Sequence, residues 1–514
     1  MLVARLPRLA GVVLALVFAG GCDFVVRASV DTTGGDPDSG SFDSSISDDG
    51  RYVAFWSGAH DLVPGDTNAK QDVFVRDLRT HHTVRASVDT AGGNANGDSF
   101  YPTISGDGRY VAFASRATDL VVDDGSAVED IFVRDLQAGT TTRVTVDTGG
   151  GDADANTRHA RISADGRHVV FASPAGDLVS GDGNGLEDVF VRDLDAHTTV
   201  RASVDTAGGD PNGPSGSTAL FSPPAIDADG SRVVFYSFAS DLVPADGNAL
   251  SDMFVRDVSA GTTTRVSVDT AGGDANGRSD ELGGRPSITG DGNVVAFASF
   301  ASDLVVGDAN GNAEDVFVRD LTTSTTTLVS GDTNGGSGPS ISDDGRFVSF
   351  QTTQVWVHDR QTGSTAMASA RYGRPANGIS GAAALSADGR YVSFHTTANN
   401  LGVNDGNGDF DVYVRAVSMP TIESITPSSL AQGTSATLTV TGTGFVPGSR
   451  ARIAEGDVTV DSVTVISETE LEVAVTVDPG ASPGTRTLVV WSDGTGPGPD
   501  AVTHAICWDC LTVT

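Results

Sequence analysis

The sequence predicts an all-β protein: a seven-bladed β-propeller followed by a smaller β domain. Three observations support this prediction. A phrase of the type S-x-D-G-R-Y-V-A-F recurs with its glycine at Gly50, Gly108, Gly166, Gly230, Gly292, Gly345 and Gly389. Each copy is followed by a phrase like V-F-V-R-D-L, and both phrases are rich in strand-forming residues. These phrases cease before Pro420, which indicates a domain boundary there.

The N-terminus has the pattern of a targeting signal. Arg5 and Arg8 precede an apolar run at 9–18 that is too short to span a bilayer. The run ends in A-G-G-C at Cys22, which resembles the lipobox of bacterial lipoproteins. The resemblance implies that residues 1–21 are a signal peptide and that Cys22 is lipidated and anchors the chain to a membrane. Secretory cleavage without lipidation is the alternative, and either route leads outside the cytoplasm.

Each repeat divides into four predicted strands. In the first repeat they lie at 43–47, 51–56, 72–78 and 83–88, with a tight turn at Asp49-Gly50. The third strand is apolar on successive residues, as expected of a sheet covered on both faces. The sequence therefore predicts seven such blades within residues 22–418.

The N-terminal segment 24–31 is predicted to complete the last blade. A copy of the fourth-strand phrase, which is R-A-S-V-D-T or a relative of it, begins at Arg27 before the first blade, and the seventh blade has only three strands of its own. Pairing these parts would close the ring and remove its unpaired edges.

The repeats resemble a known family. The phrases S-D-D-G-R at 47–51 and I-S-G-D-G-R at 104–109, each followed by an apolar strand and V-F-V-R-D-L, are similar to the WD40-like repeats of TolB-type β-propellers. The resemblance covers about residues 24–417 and implies the fold. It leaves function open, because this scaffold binds partners in some relatives and carries peptidase or lyase chemistry in others.

The C-terminal region resembles a second family. The sequence after Pro420, with L-T-V-T-G-T-G-F at 438–445, is similar to the N-terminal part of an IPT/TIG domain. The resemblance implies an immunoglobulin-like β-sandwich over 419–514 that serves as a spacer or a second binding module. Cys507 and Cys510 are predicted to form a disulfide that closes a turn, since a single C-x-x-C cannot fill a zinc shell.

Acidic residues mark one connection in most blades, between the second and third strands. The pattern D-x-N-x-x-x-D and its relatives supply Asp66, Asn68, Asp72, Asp124, Asp130, Asp182, Asn184, Asp188, Asp246, Asn248, Asp252, Asp308, Asn310, Asp315, Asp405, Asn407, Asp409 and Asp411. Carboxylate, amide and carbonyl oxygens at this spacing suit a hard cation, so calcium is the predicted cofactor. The alternative is that these side chains cap their own turns. Blade 6 lacks the loop but keeps its strands, so the loop is not needed to build a blade.

Strand direction places these loops together. Strands alternate in direction, so the acidic connections emerge on the same face as the loops that lead from one blade to the next. We therefore expect a ring of Asp, Asn and Gly on one face. The recurrent pair of the third strand, as in Arg76-Asp77, is predicted to tie blades together by charge-assisted hydrogen bonds.

Composition and motifs narrow the function. The formal net charge of −35 repels phosphate backbones, so no nucleic acid partner is expected. No G-x-S-x-G or H-E-x-x-H motif is present, and no catalytic residue is predicted. The sequence favours a non-enzymatic envelope or surface lipoprotein whose propeller binds a protein or a glycan. The alternatives are a hydrolase or lyase acting on polysaccharide and a purely structural envelope protein. An enzyme should gather blade-specific carboxylate, His and Arg residues at the channel mouth.

Overall fold

The computed structural model describes residues 25–514 except 126–127, 217–222, 280–283, 312, 334, 372–373, 403–404, 418–420, 446–448, 455, 468 and 493–503. The predicted signal peptide and Cys22 lie outside the described residues. Within the described ranges the structure is built from strands and one 3-10 turn at Gly331–Thr333. None of those ranges holds a helix with the length and hydrophobicity to cross a membrane.

The described part of the chain contains seven four-stranded antiparallel sheets before residue 418, here called blades 1 to 7. Blades 1 to 3 comprise Ser41–Ile46, Tyr52–Ser57, Asp72–Asp77 and His82–Arg85; Ser99–Ile104, Tyr110–Ser115, Asp130–Asp135 and Thr140–Arg143; Arg158–Ile162, His168–Ser173, Asp188–Asp193 and Thr198–Arg201. Blades 4 and 5 comprise Ala225–Ile226, Arg232–Ser237, Asp252–Asp257 and Thr262–Arg265; Ser287–Ile288, Val294–Ser299, Asp315–Asp320 and Thr325–Leu328. Blades 6 and 7 comprise Ser337–Ile341, Phe347–Gln351, Val355–Asp359 and Ser364–Met367; Ser380–Leu385, Tyr391–Thr396, Asp411–Ala416 and the N-terminal Val25–Arg27. A small hairpin, Ala370–Arg371 with Arg374–Pro375, follows blade 6.

The N-terminal strand completes blade 7, which confirms the prediction for the part of 24–31 that the structure describes. Val25–Arg27 pairs antiparallel with Asp411–Ala416, and Val26 lies opposite Val414. The amide of Ala28 continues the pairing by donating to the carbonyl of Val412 at 2.7 Å. The edge strand of the last blade is therefore supplied from the other end of the repeat region.

The first strand of each blade, the inner strand, faces a central channel. Inner strands of neighbouring blades contact one another around a complete ring, including blade 7 against blade 1. The turns after the inner strands are joined by backbone hydrogen bonds. Asp48 donates to Gly106 at 3.0 Å, Gly106 donates to Ala164 at 2.9 Å, and Asp388 returns to Asp48 at 3.4 Å. We call this side of the ring the turn face, and the opposite side, where the acidic connections lie, the loop face.

The hydrophobic core lies between blades. Val73 and Val75 of blade 1 pack with Val111 and Phe113 of blade 2 in one cluster of fully or nearly buried side chains. Within a blade, a ring on the second strand faces a ring on the third, as Phe55 faces Phe74 with centroids 6.0 Å apart. Both faces of each sheet are thus covered, which explains why apolar residues follow one another without alternation.

The C-terminal region forms a β-sandwich of two four-stranded sheets. One sheet holds Thr421–Thr426, Ser435–Thr443, Glu470–Val477 and Val458–Ser467; the other holds Ser429–Leu430, His504–Val513, Gly484–Ser492 and Ser449–Ile453. Leu438, Val473 and Leu488 are fully buried between the sheets. Cys507 and Cys510 are joined by a disulfide, which lies within the last strand rather than in a turn.

Candidate functional site

Five inner strands carry a β-bulge at the same level, near the loop face. The strand register shifts there in blades 1, 2, 3, 6 and 7. The bulged residue has a positive φ: 42° at Asp43, 52° at Tyr101, 52° at His159, 58° at Gly338 and 50° at Ala382. Residues other than glycine rarely adopt this conformation, and bulges turn a side chain away from its regular direction. The bulges of blades 1 to 3 accordingly bring an acid, a phenol and an imidazole to the channel.

A cation from the far side of the ring joins this group. Arg285 precedes the inner strand of blade 5, and its Nη2 donates to Asp43 Oδ1 of blade 1 at 2.7 Å. Trp56 Nε1 donates to the other carboxylate oxygen at 3.2 Å. The backbone N–H of Asp43 donates to Nδ1 of His395, from the second strand of blade 7, at 3.1 Å. Both oxygens of the Asp43 carboxylate are therefore held in place.

The channel below these residues forms a cavity of about 190 Å³. All seven blades line it. The lining includes Asp43, Arg285, Tyr101 and His159 and a second arginine, Arg161 of blade 3. Most of the other lining side chains are small, from Ser44 in blade 1 to Ala384 in blade 7. The ring of hydrogen-bonded turns lies at the turn-face end of the channel. Asp43, Tyr101 and His159 therefore stand at the loop-face mouth, whereas Arg161 lies nearer the turn face, two residues after the bulge of blade 3.

Aromatic rings extend from the mouth across blades 7, 1, 2 and 3. Phe42 stacks on Trp56 with centroids 4.5 Å apart and lies 5.2 Å from Phe410. Tyr101 lies 4.1 Å from the imidazole of His159. Trp56 and Tyr101 are 6.2 Å apart, which joins the two pairs into one aromatic group. Such a group offers flat apolar surfaces beside an ion pair.

The charges at the mouth are well defined at neutral pH. Burial raises the pKa of Asp43, but the charge of Arg285 and its hydrogen bonds outweigh burial and hold the pKa at about 2. Burial, with a smaller effect of Arg285, lowers the pKa of His159 to about 3. Burial also lowers the pKa of His395, against the attraction of Asp43. At pH 7 the mouth therefore holds a carboxylate, a guanidinium and two neutral imidazoles.

The residues predicted to bind calcium are brought together, but around an arginine. In blade 3, Arg201 Nη1 lies 3.2 Å from Asp182, 3.4 Å from Asp188 and 2.7 Å from Asp210. In blade 1, Arg85 pairs with Asp66 and Asp72; in blade 4, Arg265 pairs with Asp246, Asp252 and Asp274. The asparagines Asn68, Asn184 and Asn248 donate to the third-strand carboxylates Asp72, Asp188 and Asp252. A serine donates to the same carboxylate in each blade.

Blades 2 and 7 repeat this arrangement with changes. In blade 2, Arg143 pairs with Asp152 and lies 3.7 Å from Asp124, while Thr145 donates to Asp130. In blade 7, Arg27 pairs with Asp36 and with Asp411 at 3.2 Å, and Tyr413 donates to Asp405 at 3.1 Å. Asn407 donates instead to the carbonyl of Pro37, and Asp409 is exposed, so neither accompanies the carboxylates.

An arginine thus supplies the positive charge that a cation would bring to five of the acidic loops. The calcium prediction gains no support in blades 1 to 4. In blade 7, oxygens of Asp36, Asp405 and Asp411 lie within 4.8 Å of one another, which is the spacing of a metal site, but Arg27 pairs with two of these acids. In these five blades calcium stays a prediction. Blade 5 is different, because Leu328 stands where these five blades have the arginine. Its loop residues Asp308, Asn310 and Asp315 are present without that partner.

Two further expectations can be compared with the structure. The acidic connections and the loops between blades do lie together: Asn68 of one donates to the carbonyl of Ala95 of the other at 3.1 Å. The Arg-Asp pairs do not tie blades, which corrects the prediction. Arg76 donates to Thr83 at 3.0 Å and Asp77 pairs with Arg51 at 2.6 Å, both within blade 1. These side chains contact neighbouring strands of their own blade and not the next blade.

Sequence reasoning missed the channel-mouth cluster. Its members come from unlike positions of the repeat: Asp43, Tyr101 and His159 from bulges, His395 from a second strand, Arg285 from an irregular segment. No local signal marks these positions, because the residues beside them in the inner strands also differ from blade to blade.

Comparisons with known proteins agree with the two-part architecture. Residues 420–506 match the IPT/TIG domain, so the chain carries such a domain there. TolB-type propellers are among the similar solved structures: TolB from Acinetobacter baumannii is 13% identical with a TM-score of 0.34, and 74% of this chain covers 64% of it. A putative TolB from Agrobacterium tumefaciens is 14% identical with a TM-score of 0.37 (68% of this chain, 98% of that chain).

Hydrazine synthase from Kuenenia stuttgartiensis is 14% identical with a TM-score of 0.36, over 73% of this chain and 95% of that chain. This chain covers 64% of the TolB from Acinetobacter baumannii, which is less than two thirds of that protein's length. Identities and TM-scores this low say nothing about function, and the fold assignment rests on the sheet topology. No curated protein matches the chain.

Proposed function

We propose that the propeller is a non-enzymatic binding module that takes one end or one residue of a glycan into the mouth of its channel. The observation that carries the proposal is the Arg285–Asp43 pair, which joins opposite parts of the ring at the mouth. The second and third strands of the blades are similar in sequence, whereas the bulges present different side chains to this one place. Such variation is expected where different side chains on similar blades together form one binding site.

Size and chemistry favour a glycan over a protein surface. A cavity of about 190 Å³ admits a small group rather than a folded domain. The apolar face of a sugar ring packs against aromatic rings such as Trp56 and Tyr101, which are half-buried at the mouth. Sugar hydroxyls find charged hydrogen-bond partners in Asp43 and Arg285. A peptide segment is the other ligand class, and the experiment below distinguishes the two.

A polysaccharide hydrolase or lyase is the second candidate, because the mouth does gather an acid, an arginine and two histidines. The charge states favour binding. Glycoside hydrolysis uses two carboxyl groups with unlike pKa values, and Asp43 is the only carboxylate among the described residues that line the cavity. A proton-abstracting histidine works best with a pKa near the working pH, whereas the pKa of His159 is about 3.

The rest of the chain fits a role at a cell envelope. A lipid on Cys22 would hold the protein on a membrane outside the cytoplasm, as the lipobox resemblance implies. The disulfide between Cys507 and Cys510 supports an oxidising compartment. The IPT/TIG domain would serve as spacer or second contact. A purely structural role remains the third alternative, and it predicts no ligand at the mouth.

A panel of immobilised bacterial oligosaccharides and short peptides, probed with the purified chain, tests the proposal. We expect at least one glycan to be retained and Arg285→Ala to weaken its binding about tenfold or more, since a charged hydrogen-bonding partner is lost. Arg167→Ala is the matched control: Arg167 is exposed after the turn that joins the first two strands of blade 3, on the turn face, so this substitution should leave binding unchanged. Chain cleavage of the retained glycan would favour the enzyme instead. Retention of peptides alone, or equal loss in both variants, would contradict the proposal.

A further inference from the structure

The acidic loop and its arginine can be compared among the seven blades of this one chain. Five blades have both the loop carboxylates and the arginine that ends the fourth strand. Blade 6 has neither: its loop is deleted, Met367 replaces the arginine, and Gln354 accepts from Ser369 in place of the aspartate. Blade 5 alone keeps the carboxylates while Leu328 replaces the arginine. Blade 6 therefore lacks both the arginine and the acids, whereas blade 5 lacks the arginine but keeps the acids.

The blade 5 loop keeps the geometry of the arginine-filled loops. Leu328 lies opposite Phe317 in the strand pairing, as Arg85 lies opposite Phe74 in blade 1. Ser330 donates to Asp315 Oδ1 at 2.6 Å, as Ser87 donates to Asp72 in blade 1. The backbone and the serine therefore hold Asp315 in the position from which its counterparts meet an arginine. The side chain of Leu328 packs instead against the hydrophobic cluster of blades 4 and 5.

Four side-chain oxygens in this loop are buried without a hydrogen-bond partner: one each of Asp308, Asn310 and Asp315, and Oε1 of the neighbouring Glu314. Asp315 is fully buried, and its Oδ2 has no hydrogen-bond partner. Oδ2 of Asp308 and Oδ1 of Asn310 are likewise buried without a partner. In blade 1 the counterparts of these two acids, Asp66 and Asp72, lie 3.0 Å and 3.4 Å from the same Nη1 atom of Arg85, so the two carboxyl groups of this loop face one shared space. A buried carboxylate without a counter-charge is strongly unfavourable, so the loop needs a positive charge from elsewhere.

We propose that the blade 5 loop binds one calcium ion through Asp308, Asn310 and Asp315, in the place where other blades hold an arginine. Two carboxylate oxygens and an amide oxygen are the ligands that this hard cation prefers, and water would complete its shell. The ion neutralises the pair of acids as the guanidinium does in the other loops. The proposal is independent of the channel mouth and concerns blade 5 alone.

Calorimetric titration of the chelator-treated full chain with calcium chloride tests this site. We expect the native chain to bind calcium and Leu328→Arg to bind one equivalent fewer, because the new guanidinium occupies the site. The native melting temperature should rise with calcium more than that of Leu328→Arg. Without calcium, Leu328→Arg should melt no lower than the native chain, since its arginine pairs with the acids.

Asp308→Asn is a second variant in case the arginine variant does not fold. Asp308 is half-buried, so its replacement by the isosteric amide preserves packing while one ligand charge is removed. We expect about a tenfold or greater loss of calcium affinity. No calcium binding by the native chain at millimolar calcium, or the same stoichiometry and affinity in both variants, would overturn the proposal.

Discussion

Arg265 shows how one residue type fixes the chemistry of a repeated loop. Its guanidinium meets Asp274 at 2.6 Å and Asp246 at 3.3 Å, and its side chain is 8% exposed. This arginine, rather than a metal ion, neutralises the acids of the loop. The sequence shows both partners, but they lie 19 and 9 residues apart, so a local motif could not pair them.

Arg265→Leu should destabilise the propeller by about 3 to 5 kcal/mol in calcium-free buffer, because it leaves buried Asp252 without a counter-charge. Arg167→Leu is the control: Arg167 is exposed and pairs with Asp193 at the surface, so breaking this pair should change the stability little. Urea unfolding of both variants at neutral pH measures the difference. Equal destabilisation by the two substitutions would show that the buried arginine has no special role.

The glycine of the turn after each inner strand depends on the neighbouring blade. At Gly108, φ is +74° and an added Cβ would lie 2.1 Å from the ring of Tyr52 in blade 1. Gly108→Ala should therefore cost more than Gly65→Ala, where φ is +84° but nothing lies within 4 Å. We expect about 1 kcal/mol for Gly65→Ala and about 1 to 3 kcal/mol more for Gly108→Ala. Thermal unfolding of the two variants measures this, and similar losses would argue against packing of the turn on blade 1.

At the scale of strands and blades, much of the fold could be predicted from the amino-acid sequence. The repeated phrases place the first three strands of blade 1 to within two residues, because composition and the D-G turn are local signals. The fourth strand, predicted at 83–88, ends three residues earlier, at Arg85. The inner strand was predicted to begin at residue 43 and begins at Ser41, since the bulge at Asp43 interrupts the alternation on which the prediction relied. The channel-mouth cluster could not be predicted, because it unites single residues from blades 1, 2, 3, 5 and 7 that only ring closure brings together.

Deletion of residues 25–31 should destabilise all seven blades together. The deletion removes the strand that pairs with Asp411–Ala416 and the Arg27–Asp411 ion pair, which opens the ring at one blade. Because each core cluster is shared by two blades, loss of one contact propagates around the ring. Hydrogen exchange read by mass spectrometry should show faster exchange in blades 3 and 4 as well as in blades 1 and 7. Faster exchange confined to blades 1 and 7 is the outcome that argues against a cooperative ring.

For the whole molecule, the carboxyl groups predict how stability depends on pH. Burial raises the pKa of Asp48, Asp130, Asp188, Asp252 and Asp411 from 3.8 to about 6. Between these values the folded chain holds protons that the unfolded chain releases, so stability falls as pH rises from about 4 to 6. Hydrogen bonds from arginines lower the pKa of Asp135 and Asp193 to about 2, so their contribution is lost as pH falls below 3.8.

The calcium-free chain should therefore be most stable near pH 4 to 5 and less stable at pH 2 and at pH 7. The net charge of −35 adds to this trend, because self-repulsion weakens as carboxylates take up protons. Chemical unfolding across this pH range, with chelator present, measures the curve. A steady rise in stability from pH 4 to pH 7 would contradict the assigned burial of these carboxyl groups.

Closure of the ring by the N-terminal strand is the central claim, since the channel and its mouth exist only in a closed ring. The most direct test is a double variant, Val26→Cys with Val414→Cys, because these two residues lie directly opposite each other in the strand pairing. We predict that mild oxidation links them within one chain and raises the melting temperature, and that Val26→Cys alone gains nothing. Two thiols that stay free under the same oxidation would mean that the first strand does not complete the last blade.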